Sequence, residues 1–186
     1  MTRFLTFFNM LNSFKFWAVW GIVLGIISLL AFGFTTDPKN VPSPLIGRPA
    51  PNFQVDDLNG GQKFSLREFK GIPIVLNFWA SWCAECRTEA FILEDFYQKY
   101  GENNKQLVVI GIAIQDSPKK AKNFARHFGK TYLLGLDDED GNIALDYGIY
   151  GVPETFFIDP EGNIFHKTIG IVTTELMENK FKPFLL

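Results

Sequence analysis

Cys83 and Cys86 are the only cysteines in this 186-residue chain, and they stand three apart in Trp82-Cys83-Ala84-Glu85-Cys86. Ahead of them runs Ile72-Pro73-Ile74-Val75-Leu76-Asn77-Phe78-Trp79-Ala80, an apolar stretch that reads as a buried strand. Behind them Ala90, Ile92, Leu93, Phe96, Tyr97 and Tyr100 recur at helical spacing, which predicts a helix over Ala84–Tyr100. A C-x-x-C between a buried strand and a helix is the sequence form of a dithiol/disulfide redox centre. At the helix N-terminus, backbone N–H groups and the macrodipole stabilise a thiolate at Cys83. Cys86 lies nearly one turn on, within reach of a mixed disulfide formed at Cys83. Cys83 is therefore the expected nucleophile and Cys86 the expected resolving thiol.

Other uses of two cysteines fit less well. Structural zinc wants four ligands, and the two histidines, His127 and His166, are not at finger spacing, so no metal site is expected. Arg87 after Cys86 excludes a C-x-x-C-H haem attachment. A purely structural local disulfide stays open. A peroxide-reducing cysteine is disfavoured, because paired thiols behind a Trp suit exchange better.

Turn and cap residues delimit the remaining elements. Phe53–Asp56 and Gln62–Phe64 flank an Asn-Gly turn signal and read as a hairpin. Ser65 caps a short helix, Leu107–Ile114 is a second apolar strand, and Ser117-Pro118 opens a helix that Gly129 stops. Leu133–Leu136 is a short strand and Ile143–Tyr147 a helical turn. Thr155–Ile158 and Ile164–Thr168 form a hairpin, and Thr173 or Thr174 starts a last helix that ends before Pro183. The order implies an α/β domain, a mixed central sheet with helices on both faces.

The N-terminus carries a different signal. Phe16–Phe34 is 19 residues without a charge, about 28 Å as a helix, enough for a bilayer core. Ala31-Phe32-Gly33 resembles a cleavage site, but the run exceeds a secretory h-region, so an uncleaved signal anchor is expected. Trp17 and Trp20 suit the membrane interface; Gly21 and Gly25 form a single G-x-x-x-G, a weak pairing signal. The expected organisation is a cytoplasmic tail over 1–15, a transmembrane anchor over 16–34, a proline-rich linker over 35–51 and an exported domain over 52–186. Net charge is −2 and the cluster Lys119, Lys120, Lys122 reads as a solvated helix face, so no nucleic-acid partner is expected.

Phe78-Trp79-Ala80-Ser81-Trp82-Cys83-Ala84-Glu85-Cys86 together with Gly151-Val152-Pro153-Glu154-Thr155 resembles the thioredoxin fold. More narrowly, from about Val41 to Gly170 the chain is similar to the membrane-anchored DsbE/CcmG family of thiol:disulfide interchange proteins. Asp146-Tyr147-Gly148-Ile149-Tyr150-Gly151-Val152-Pro153-Glu154-Thr155-Phe156-Phe157-Ile158-Asp159 is the most specific stretch. The resemblance implies that Pro153 is cis beside the cysteine pair, that Val152 offers backbone hydrogen bonds to an extended substrate segment, and that Trp82 covers the dithiol and joins the docking surface. Asn77 stands where thioredoxin has a buried Asp, and an amide accepts no proton at neutral pH. Glu154 is then the first candidate for handling the Cys86 proton and Glu85 the second. A nearby carboxylate raises a thiol pKa and makes the disulfide less oxidising, which favours a reductant.

The family implies a periplasm-facing protein of the bacterial inner membrane that reduces the haem-binding cysteines of apocytochrome c and is re-reduced by a transmembrane thiol donor of the DsbD type. No bound cofactor is then required beyond the dithiol. The alternatives are a broader extracytoplasmic reductase of the TlpA or ResA type, a disulfide-forming oxidase, and a chaperone-like subunit of the maturation machinery.

Overall fold

The computed structural model describes residues 2–33 and 43–185, in two compact units, Met1–Val41 and Pro42–Leu186. In the first, α1 (Thr2–Gly33) is a single 32-residue helix. Every side chain described along it, from Lys15 to Gly33, is exposed, and the span Lys15–Gly33 is long and apolar enough to cross a membrane. Residues 35–42 of the expected linker lie outside the described residues.

The second unit is built on a five-stranded sheet. Its strands are β3 (Ile74–Trp79), β4 (Val108–Ala113), β5 (Leu133–Leu136), β6 (Glu154–Ile158) and β7 (Ile164–Ile169), in the order β5-β4-β3-β6-β7. β3, β4 and β5 are parallel, β6 runs antiparallel to β3, and β7 runs antiparallel to β6. A small hairpin, β1 (Gln54–Val55) with β2 (Phe64–Ser65), stands apart from the sheet. The helices are α2 (Glu85–Phe96), α3 (Pro118–His127), α4 (Asn142–Asp146) and α5 (Thr174–Phe181).

Crossover handedness explains the layering. The steps β3-α2-β4 and β4-α3-β5 travel the same way across the sheet, so right-handed connections put α2 and α3 on one face. The chain then returns through α4 to the antiparallel β6 on the other side of β3, and Ile143 and Tyr147 pack α4 on the opposite face. The cores agree. Val75 and Trp79 pack with Cys86, Leu93, Phe124 and Phe181 on the first face; Leu76, Phe78 and Phe156 pack with Val55, Phe64, Ile143 and Tyr147 on the second. β3, buried at every position, is the central strand its apolar run predicts.

Local chemistry sets the ends. Ser65 and Glu68 form a capping box on a 3-10 turn, Leu66–Phe69. Ser117 caps α3 ahead of Pro118, and Gly129 turns the chain away with φ +66°. Thr173 caps α5. Two expectations need correction. α2 stops at Phe96 and continues as a π-helical turn, Tyr97–Glu102, whereas periodicity extended one helix to Tyr100. The linker also does not reach residue 51. Gly47 and Ala50 donate to the carbonyls of Ile164 and Gly162, Ile164 donates back to Arg48, and Pro49 bridges Asn163. Residues 47–50 are thus pinned by backbone hydrogen bonds to the β6–β7 turn and the start of β7, and belong to the domain.

Candidate redox site

Cys83 and Cys86 meet at the C-terminal end of β3 as a disulfide, with their Cα atoms 5.4 Å apart. The residue before α2, Ala84, has no side chain able to cap the helix. Cys83 Sγ takes that place and accepts the Cys86 N–H at 3.1 Å. The reactive sulfur therefore sits where a helix favours negative charge. The two residues are 5 % and 1 % exposed, so Cys83 is the more accessible.

The loop that carries the pair is fixed from β4. Ser81 donates its backbone N–H and its hydroxyl to the Asp116 carboxylate, at 2.6 and 3.0 Å. The Trp82 indole N–H donates to the Gln115 carbonyl at 3.1 Å, and its ring remains exposed. Gln115 adopts φ +48°, a conformation that a non-glycine residue holds only under local constraint. On the other side the Val152–Pro153 peptide bond is cis, and the Val152 carbonyl lies 3.5 Å from Cys83 Sγ. Trp82, Cys83, Val152 and Pro153 thus come together, from two loops far apart in sequence.

Beneath the disulfide is a buried carboxylate that the sequence reading passed over. Glu89, one turn after Cys86 on α2, is 1 % exposed. Its Oε2 accepts from Asn77 Nδ2 at 2.8 Å and its Oε1 from the Val172 N–H at 3.0 Å. Asn77 also donates to Thr155 Oγ1 at 3.0 Å, so β3, α2, β6 and the loop before α5 share one polar knot. Burial pushes the Glu89 carboxyl up to about 7; the Val172 and Asn77 hydrogen bonds and the charge of Lys130 oppose the rise, and Glu85 adds to it. Asn77 thus takes no proton itself and instead holds a carboxylate that can. The signal was present: Cys86, Glu89, Ala90, Leu93 and Phe96 are the buried stripe of α2, and a Glu inside an apolar stripe is the anomaly to notice.

Residues 46–167 match the AhpC/TSA family. A thiol:disulfide interchange protein DsbE of Allochromatium vinosum is 34% identical over 166 residues, covering 89% of each chain. The protein of that name from Escherichia coli K12 is 36% identical over 149 residues, 79% of this chain and 77% of its own. The chain belongs to the DsbE family of thiol:disulfide interchange proteins. A thioredoxin-family thiol:disulfide interchange protein of Chlorobium tepidum superposes with a TM-score of 0.65 at 25% identity, covering 81% of this chain and all of its own. As a DsbE-family member the chain is a thiol:disulfide oxidoreductase on a thioredoxin fold.

Within this DsbE-family site, Glu154 stands elsewhere than expected. Strand alternation turns Thr155 toward Asn77 and sends Glu154 to the opposite face of the sheet. There Glu154 is 1 % exposed and forms a 2.6 Å ion pair with Lys167. Its other oxygen accepts the N–H groups of Tyr150 and Gly151, at 3.1 and 3.3 Å. Its geometry holds the loop that leads into Pro153 and does not reach the sulfurs through the sheet. Glu85 is exposed in the first turn of α2.

Proposed function

We propose that this protein is a reductant: it faces the periplasm, is anchored by the span Lys15–Gly33, and reduces the C-x-x-C-H disulfides of apocytochrome c before haem attachment. The observation that carries the reading is the Glu89 carboxylate one turn below Cys86. A buried negative charge beside the pair disfavours thiolate, raises the thiol pKa values and makes the disulfide harder to reduce.

In the forward reaction the Cys83 thiolate attacks one sulfur of a substrate disulfide. The substrate S–S bond breaks and its electron pair leaves on the second substrate sulfur. Cys86 then gives its proton to Glu89 and attacks Cys83 Sγ. The Cys83–Cys86 bond forms, the mixed disulfide breaks, and the substrate leaves with both sulfurs reduced, its thiolates taking up one proton released by Glu89 and one from water. Trp82 and the Val152 backbone flank the sulfur under attack and are placed to bind an extended segment. A transmembrane dithiol of the DsbD type restores the reduced pair by the same exchange in reverse.

The test combines a potential with a trap. The reduction potential is expected at or below about −200 mV, and a value near about −120 mV would reverse the direction of electron flow. The Cys86→Ser variant is expected to accumulate a mixed disulfide with an oxidised C-x-x-C-H peptide in preference to an oxidised peptide lacking the histidine. Equal capture of both would point to a general exported-thiol reductase.

A further inference from the structure

A second ionisable group is buried on the same face, and the mechanism above does not use it. Lys130, between α3 and β5, is 5 % exposed. A lysine stem is long enough to carry its ammonium to water from most surface positions, yet this one is held inside. Its backbone leaves it little choice. The Lys130 N–H donates to the Ala125 carbonyl at 2.9 Å, closing α3. The next residue, Thr131, gives its N–H and hydroxyl to the Glu94 carboxylate on α2, at 2.9 and 2.5 Å. The loop is thereby bolted to the helix that starts with the dithiol.

The ammonium lies 3.8 Å over the centroid of Trp79, two residues along β3 from Asn77 and on its face of the sheet. Phe124 and Tyr132 close around it at 5.6 and 5.5 Å. β4 offers only Gly111, where a Cβ would come within 2.9 Å of Trp79 Nε1 and 3.1 Å of the Tyr132 ring. Among the described residues Lys130 makes no ion pair. The charged groups that act on it are Glu89 and Glu94, both from α2, and Tyr132 is the other titratable neighbour. Glu85, exposed on the same helix, acts on Glu89.

We propose that Lys130 is a positioning residue for the thiol chemistry: its buried ammonium keeps Glu89 in the carboxylate form, ready to take the proton of Cys86. This rests on the reading of Glu89 as the proton acceptor in resolution. Burial pulls Lys130 down to about 7 while the Glu89 and Glu94 charges hold it up. Burial pushes Glu89 up to about 7 against the pull of Lys130. Two groups that stabilise each other's charge and titrate in one interval behave as a coupled pair. Lys130 changes no bond; the proton moves from Cys86 sulfur to Glu89 oxygen, and the cation sets how strongly that oxygen holds it.

The experiment is a pH titration of the full chain in detergent micelles, oxidised so that no thiol titrates, read by carbon-13 NMR of the Glu89 carboxyl. The wild-type midpoint is expected near 7. Lys130→Met is expected to raise it by about one pH unit, a tenfold tighter hold on the proton, and Lys130→Arg to keep it near the wild-type value. An unmoved midpoint in folded Lys130→Met, or an equal rise in both variants, overturns the inference. Should Lys130→Met fail to fold, the wild-type Lys130 side-chain signals decide. They are expected to titrate in two steps in the same interval as Glu89; a single step in the ordinary lysine range overturns the coupling.

A single-turnover resolution assay then separates the two readings. Resolution in Lys130→Met is expected to need a higher pH than wild type by the same interval. A wild-type protein that resolves no mixed disulfide sinks the reductase reading. A normal wild type with an identical Lys130→Met profile sinks the role of Lys130 alone.

Discussion

Replacing Glu89 with glutamine should make the domain more stable in alkali and a weaker reductant. Burial carries the Glu89 carboxyl from its ordinary 4.5 to about 7, which corresponds to about 3 kcal/mol of folding free energy. The carboxyl is raised in the folded state, so its contribution is fully present below pH 4.5 and is lost as pH rises through 7. Glu89→Gln stays neutral and escapes that loss. The new amide can be accommodated: Asn77 Oδ1 has no partner, so the Asn77 amide can turn and accept from it, while the Val172 N–H keeps its acceptor. Any change in hydrogen bonding, about 1 kcal/mol, is common to both ends of the pH range and cancels in the comparison. The assay is urea unfolding of residues 42–186, oxidised, at pH 4.5 and 8.5. The wild-type-to-variant difference is expected to move in favour of Glu89→Gln by about 3 kcal/mol between the two. A movement below about 1 kcal/mol would mean that Glu89 titrates as an ordinary surface acid, and the case for its effect on Cys86 would collapse. The same variant should show a less negative reduction potential.

Three further outcomes follow from the geometry. Cys83→Ser should abolish capture of oxidised peptide on non-reducing gels, and Cys86→Ser should retain it as a stable adduct. Lys167→Met leaves Glu154 buried without its cation and should cost about 3–5 kcal/mol in urea unfolding; the thiol pKa values should not move, and a shift in them would return Glu154 to the proton pathway. Gly111→Ala forces a Cβ against Trp79, Tyr132 and Leu134 and should cost about 1–3 kcal/mol, with little loss if the indole has room to tilt.

Much of the frame was legible because its signals are local. Ser117-Pro118 and Gly129 bracket α3, Leu133–Leu136 is β5 as expected, and the Asp159–Asn163 turn joins β6 to β7. What eluded the reading depends on which face a residue takes. Glu154 is next to Pro153 in sequence, and adjacency suggested a shared site, but neighbouring strand residues point apart. Glu89 belongs to the dithiol because it lies in the buried stripe of α2, a matter of 3.6-residue periodicity rather than distance along the chain. Lys130 and Asp116 carry no motif. They reach the site because loops after β4 and α3 fold back onto the start and the flank of α2, and only tertiary structure brings that about.

The hydrogen bonds at residues 47–50 also have a mechanical meaning. They attach the incoming chain to the turn between β6 and β7, at the end of β3 where Ile74 pairs with Ile158. The disulfide is at the other end of that strand, about 20 Å away for six residues. The domain is gripped by its heel. A load on the chain before residue 47 is borne by the foot of the sheet and spares the loop that presents the sulfurs, so a large partner can close over Cys83 without disturbing the grip.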